Sequence, residues 1–334
     1  MSQLSPTLLH MPWHIKESIL DSSDLITRLR LRKCCKSLRT FIDKTRMTYL
    51  SMTFTKSEEM ISLHIQGKFS GWYVCGKVRE GETLRIDYHY HPNGCIMRKG
   101  SWEKFMEGVS PSEMAASDFR SLNSGSKVQV HQIRFEQIHN YGVFLPPNHK
   151  EIDFSDIFTA LHSALIKEKQ LCVEELQVCF DLSEDQLMCI LPLLQPGTLG
   201  VLKLAPTGRL PEMNRVIDSE QWKQVELLRL TTDDCTPSRL SQFQNIGLDN
   251  VLLSLEDVKT LIENAIRHGE KFNKIMSFNP RYVDFPAVSE YVVDFPELNV
   301  DGIDGRHIPI PNSNNFIVID VTIKFFFIYL YVPE

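Results

Sequence analysis

The sequence predicts an α+β chain in three regions: a three-helix unit at the N-terminus, a mixed strand and helix middle, and an irregular α/β repeat toward the C-terminus. Three observations carry this. Residues 11–43 present three amphipathic faces with start and turn signals between them, residues 47–91 change to an alternating period, and from residue 173 one apolar pattern recurs every 26 residues. The length of 334 residues leaves room for two or more domains, and 43% hydrophobic with 23% charged residues is ordinary for a soluble globular chain. A pI near 6.0 argues against a generally basic binding surface.

The first region reads MPWHIKESILDSSDLITRLRLRKCCKSLRTFID over residues 11–43. Pro12 suits a first helical position, where its missing N–H costs nothing, and Met11, Ile15 and Ile19 fall at i, i+4 and i+8. Asp21, Ser22, Ser23 and Asp24 form a run of capping and turn residues that ends this helix and starts a second through Leu25, Ile26 and Leu29. From Lys33, the positions Cys34/Cys35, Leu38 and Phe41/Ile42 repeat at helical spacing and mark a third. A domain below roughly 40 residues rarely buries enough apolar surface to hold itself together. Such a unit needs a partner.

In its motif order this stretch resembles an F-box. Met11-Pro12, Ile15, Ile19-Leu20, Asp24-Leu25, Leu29, Leu31 and Cys34-Cys35 with Leu38 stand at that family's apolar positions. Leu38 replaces a frequent Trp, and Trp13 is larger and less polar than usual. The resemblance implies docking on a Skp-type adaptor of a cullin–RING ubiquitin ligase, with Pro12, Ile15, Ile19, Leu20, Leu29, Leu31, Cys34, Cys35 and Leu38 as candidate contacts. Some of these must instead pack the helices together. Between Arg28 and Arg46 eight Lys/Arg face one acid, Asp43, a local charge of +7 that leaves −13 for the rest of the chain. A basic stripe can attract phosphate, but no nucleic-acid motif accompanies it, and no nucleic-acid partner is expected.

In the middle region, residues 49–54, 60–65, 72–78 and 84–90 are strand candidates by alternation. His91-Pro92-Asn93-Gly94 reads as a hairpin turn built on Asn-Gly, leading into Cys95-Ile96-Met97. Ser110-Pro111-Ser112-Glu113 has capping-box spacing with an N1 proline, so a helix should run toward Leu122, closed by residues 123–126. Val128, Val130, Ile133 and Phe135 suggest a further strand, and Ile157, Phe158, Leu161 and Leu165 a helix over 155–169.

The repeat follows. Val173-x-x-Leu176-x-Val178 recurs as Leu199-x-x-Leu202-x-Leu204 and Val225-x-x-Leu228-x-Leu230, then after 23 residues as Leu248-x-x-Val251-x-Leu253, with a fainter copy at Phe272 and Ile275. This lies in the leucine-rich-repeat range, one strand and one return helix per unit. Ser183-x-x-Gln186 opens one return helix, Pro211 another with Val216 and Ile217, and Ser254 or Glu256 a third that Gly269 stops. The usual Asn ladder is replaced by Asp181, Thr207, Asp233 and Glu256, which predicts a short irregular array. Residues 190–199 and 222–228 are similar to the FTH domain found after F-boxes in a large nematode family, a resemblance covering 127–278. It implies a target-selecting role and supplies no target.

The organisation expected is a flexible lead at 1–10, an F-box at 11–46, a mixed region at 47–126, an FTH or leucine-rich-repeat-like recognition domain at 127–310 and a hydrophobic tail at 311–334. Residues 316–332 fall short of the roughly 20 needed to cross a bilayer and include Asp320, Thr322 and Lys324, so a buried edge strand is expected there. Eight cysteines lack paired spacing and no signal peptide precedes them, which points to free thiols in a reduced intracellular compartment, cytoplasmic and/or nuclear. No nucleophile elbow, phosphate loop or HExxH motif is present. His89-x-His91 with Cys95 and Cys75 is the best zinc candidate and lacks a fixed fourth ligand. No cofactor, metal or membrane is expected, and no enzyme. The function expected is a substrate receptor joining an adaptor and cullin to an unknown protein target, the alternative being a scaffold that has lost adaptor binding.

Overall fold

The protein is described here from a computed structural model, covering residues 11–21, 23, 25–44, 47–67, 83–124, 128–137, 152–205, 213–231, 245–249, 254–269, 274–277, 285–300, 303–310, 313, 315–321 and 326–331. The strand expected at 72–78, the lead at 1–10, Cys75 and the end of the fourth repeat pattern at Val251 and Leu253 lie outside these residues. Among the described residues the chain is mixed α/β, with ten α-helices and fifteen strands in two compact units. One unit runs to Glu174 and includes Cys189–Gln195; the other holds Glu175–Met188 and the residues from Pro196 onward.

The first unit begins with α1 (Trp13–Asp21), α2 (Leu25–Cys34) and α3 (Lys36–Lys44). The third helix starts three residues later than its apolar spacing suggests, because Cys35 stands between α2 and α3, its Sγ accepting from Leu38 N at 3.5 Å and its carbonyl from Arg39 N. Then come β1 (Met47–Lys56), β2 (Met60–Gly67), β3 (Thr83–His91), β4 (Gly94–Lys99), β5 (Trp102–Glu107), α4 (Pro111–Asn123), β6 (Val128–Gln137), α5 (Ser155–Leu165) and the start of β7 (Cys172–Cys179). In sheet order β6-β1-β2-β3-β4-β5, β6 is parallel to β1 and every other pair is antiparallel.

Two local expectations shift. The β3–β4 turn centres on Pro92-Asn93, with His91 paired to Gly94. Proline's fixed φ suits the first central position of a turn, and Gly94 is required for a different reason: a Cβ there would stand 2.1 Å from the Met106 carbonyl oxygen of β5. Helix α5 stops at Leu165, where Ile166 N bonds His162 O and Glu168 N bonds Leu165 O, so the chain can turn into Leu171, which bonds Leu193.

The capping box on α4 forms as its spacing dictates, Ser110 and Glu113 exchanging side-chain to backbone bonds with Pro111 at the first turn. Phe54 stacks on Phe135 at 5.2 Å, Phe119 meets Phe54 at 5.3 Å and Phe158 meets Phe135 at 4.9 Å. This chain of rings joins β1, β6, α4 and α5 in one sealed core.

The second unit carries most of β7, then α6 (Glu184–Ile190), β8 (Val201–Leu204), α7 (Asn214–Asp218), α8 (Glu220–Lys223), β9 (Leu227–Thr231), β10 (Asn245–Asp249), α9 (Leu255–His268), β11 (Lys274–Ser277), α10 (Phe285–Val292), β12 (Glu297–Val300), β13 (Ile303–Pro309), β14 (Phe316–Val321) and β15 (Phe326–Tyr331). Strands β7 to β11 run parallel, with Leu176, Leu202, Leu228, Ile246 and Ile275 in one row. The fourth repeat is therefore displaced: Ile246-Gly247-Leu248, not the Leu248 pattern, aligns with Leu228 and Leu230. Gly247 stands level with Arg229, where a Cβ would lie 3.3 Å from Arg229 Cγ.

The return helices close where capping residues allow. Ser183 and Gln186 exchange bonds before α6, and Ser254 with Asp257 forms a capping box on α9, which ends at Gly269 with φ +56°. The C-terminal strands correct the expectation of an edge: β15 pairs with β11 on one side and β14 on the other, and Ile328 is fully buried. None of the described helices is long and apolar enough to cross a membrane.

Candidate functional site

The helices at the N-terminus sort their apolar residues by depth. Leu20 of α1 and Leu38 of α3 are buried, as are Phe41 and Ile42 of α3. Ile19, Leu29 and Leu31 are half-buried, while Pro12, Cys34 and Cys35 are exposed. Trp13 keeps 50% and Ile15 40% of its surface in water. These are the apolar positions a partner could cover.

Local chemistry explains the display. The Pro12 carbonyl accepts from both Ile15 N and Lys16 N, so α1 starts directly after the proline. Ser23 closes its end, donating from Oγ to Ile19 O at 2.6 Å and from its backbone N to Leu20 O. The Trp13 ring stands edge-on to Phe41, 4.6 Å between centroids at 81°, and Lys16 Nζ lies 5.6 Å from the same ring. Phe41 is buried beneath, so Trp13 is held in one orientation while half exposed. Sequence reasoning treated Trp13 as a departure from the motif; like Ile15 it is an exposed apolar residue of α1, though two positions away and so on a different helix face.

Arg32 ties these helices to the body of the unit. Its Nε donates to Asp43 Oδ1 at 2.6 Å, Nη1 to the Ser121 carbonyl at 2.8 Å and Nη2 to Ser124 Oγ at 2.7 Å. A guanidinium presents donors in a rigid fork, and a cation is favoured at a helix C-terminus, here that of α4. Tyr49 OH adds a 3.4 Å bond to the Leu122 carbonyl. No pattern in the sequence pairs Arg32 with residues ninety positions away.

The alternatives to a docking surface lose their geometry. Strand pairing sets Tyr90 opposite Cys95 and His89 opposite Ile96, so the Cys95 thiol lies on the sheet face opposite His89 and His91. Among the described residues no three His, Cys, Asp or Glu side chains gather as a metal site. Burial, with the nearby Asp118 charge, pushes the Cys95 thiol up to about 11, so it is no nucleophile near neutrality. On the strand of His89 and His91, Tyr88 is buried and donates to Asp118 at 2.8 Å, and Tyr90 donates to Asp156 at 3.1 Å.

Asp156 is a junction of three side-chain hydrogen bonds. It accepts from Lys56 Nζ and Ser112 Oγ, each at 2.5 Å, as well as from Tyr90. Burial pushes its carboxyl up, and the bonds from Lys56, Ser112 and Tyr90 outweigh burial and hold it below the usual carboxylate range. The charge therefore pins β1, β3, α4 and α5 together.

Residues 8–49 match the family described as the F-box domain, and residues 155–286 match the FTH domain. The chain carries an F-box followed by an FTH domain. The F-box match encloses α1, α2 and α3, and the FTH match runs from the first residue of α5 into α10. The chain is also similar to F-box A protein 224 of Caenorhabditis elegans, 24% identical over 321 residues, covering 92% of this chain and 75% of the relative. No solved structure matches.

Proposed function

We propose that the protein is a substrate-receptor subunit of a Skp–cullin–F-box ubiquitin ligase, binding the adaptor through its F-box and a protein target through the FTH domain. The observation that carries this reading is the F-box's own surface: Trp13 and Ile15 of α1 stand half in water while Leu20, Leu38, Phe41 and Ile42 are buried. Pro12, Ile15, Ile19, Leu29, Leu31, Cys34 and Cys35 supply the adaptor contact, and Leu20 and Leu38 support it from beneath. The cullin is reached through the adaptor. The parallel strands with their return helices form an irregular leucine-rich-repeat-like array in the FTH region that presents the target. The protein does no bond chemistry itself; it raises the effective concentration of a target lysine beside the charged E2.

The test is co-purification of the intact chain with the adaptor and cullin. Ile15→Asp places a charge on an already exposed position and should abolish adaptor retention while the circular dichroism spectrum stays unchanged. The double variant Leu29→Asp, Leu31→Asp should do the same. Retention of the adaptor by folded Ile15→Asp and by the double variant would overturn the assignment of these residues as the contact, and failure of the wild type to retain it would leave a scaffold without ligase contact.

A further inference from the structure

We infer that β5 is a docking edge for an extended segment of a partner protein, one that carries a Lys or Arg two residues before an apolar residue and joins the sheet as a further antiparallel strand. In the first unit β5 ends the sheet order and is paired on one side only, with β4. The phase of that pairing decides which backbone groups are left over. Gly108 N donates to Asn93 O at 2.9 Å, so these facing residues form a hydrogen-bonded pair, and in an antiparallel ladder every second facing pair bonds. Cys95 with Met106, Met97 with Lys104 and Lys99 with Trp102 therefore bond across the hairpin. Glu103, Phe105 and Glu107 turn their N–H and C=O groups the other way, toward the free edge. Among the described residues no hydrogen bond reaches those backbone groups.

The same three residues share one face of the strand, because alternate side chains point alike, and all three are exposed. Phe105 keeps 46% of its surface in water, and the His91 ring meets it edge-on at 4.9 Å between centroids. Glu103 is paired with Arg98 at 2.6 Å, whereas among the described residues Glu107 has no ion pair. A segment laid antiparallel along this edge with an apolar residue opposite Phe105 sets the residue two before it opposite Glu107, where a cation is favoured. The residue two after it faces the Glu103–Arg98 pair, where an uncharged side chain serves. A second copy of β5 fits worse. Pairing centred on Phe105 would set Glu103 opposite Glu107 at both ends, pairing centred on Lys104 would set Lys104 opposite Lys104, and like charges facing across strands destabilise. In strand addition the main-chain bonds supply affinity, and the alternate side chains choose the partner.

The probe is the fluorescein-labelled peptide Ser-Thr-Arg-Thr-Ile-Thr-Thr-Ser, titrated into the intact protein and followed by anisotropy. One altered peptide is N-methylated at the Arg and Ile amides, which removes edge donors and keeps the charge; another carries Glu in place of Arg. The parent peptide should bind, with a loss of about tenfold on N-methylation and of several-fold in the Glu peptide. Glu107→Lys should reverse the preference between the Arg and Glu peptides. Phe105→Pro should abolish binding, since the N–H it deletes belongs to the free edge and not to the β4 ladder. Adaptor co-purification should persist in both variants, which separates this edge from the F-box surface. The proposal is overturned if the parent peptide fails to bind wild type, if N-methylation leaves its affinity unchanged, or if Glu107→Lys keeps the wild-type preference. A wild-type dimer in sedimentation that Phe105→Pro dissolves would overturn it too, by making a second copy the occupant.

Discussion

The F-box helices and the α4–α5 body of the same unit use apolar residues in opposite ways. In the body, Phe54, Phe119, Phe135 and Phe158 contact one another in a chain and each is at most 2% exposed. In the F-box, Leu38, Phe41 and Ile42 of α3 are buried while Trp13 and Ile15 of α1 stay wet. One region spends its hydrophobic surface on its own stability, and the other reserves part of it. The contrast teaches that an F-box helix can be well formed and still incomplete, because its exposed side is fixed by residues buried beneath it rather than by the partner.

The largest effect should come from the sealed side. Phe135 touches two other rings and is 1% exposed, so Phe135→Ala should cost about 3–5 kcal/mol and appear as a large drop in the chemical-denaturation midpoint. Next comes the junction at Asp156. Lys56 has a side chain 10% exposed, whereas Asp156 is 41% exposed, so Lys56→Met should cost about 2–3 kcal/mol, below the range for a fully buried pair. The same junction gives a pH dependence of known sign. Asp156 is more acidic folded than unfolded, so its stabilisation is complete above the unfolded value of about 4 and is lost as pH falls through the lower folded value. Acid titration of stability should show this loss in wild type and a reduced loss in Asp156→Asn. The α4 cap is smaller again: Ser110→Ala should cost about 1 kcal/mol by thermal denaturation.

These elements also mark what the sequence made legible. The α4 cap, the alternation of β3 and the apolar rows at Leu176, Leu202 and Leu228 follow from local pattern, and local chemistry decides each of them. The β5 strand was missed because it is an edge with residues 102–105 exposed, so Trp-Glu-Lys-Phe has no inside and outside to alternate. The β10 register was misread because Leu248-x-x-Val251-x-Leu253 matches the repeat pattern in sequence, so Ile246-x-Leu248 was passed over, with Gly247 on the other row level with Arg229. The tail was misjudged as an edge because an unbroken apolar run does not say how many neighbours it has; β15 has two. At the candidate site, the motif positions were readable as a set, but depth was not. Leu20 and Ile15 look alike in sequence, and the fold buries one and leaves the other out.

The smallest predicted effect on stability therefore makes the sharpest test of the contrast. Ile15 is already 40% exposed and sits away from the Trp13–Phe41 contact, so Ile15→Asp should change the unfolding free energy by no more than about 0.5 kcal/mol. A buried position of the same helix should behave differently: Leu20, 2% exposed, should lose about 2–5 kcal/mol on Leu20→Ala. If Ile15→Asp proved as destabilising as Leu20→Ala in the free protein, its surface would be serving the chain's own core, and the distinction between reserved and spent apolar residues would fail. Equal stability with lost adaptor retention instead separates the two roles on one nine-residue helix. It would place the cost of covering Ile15 on the complex rather than on folding.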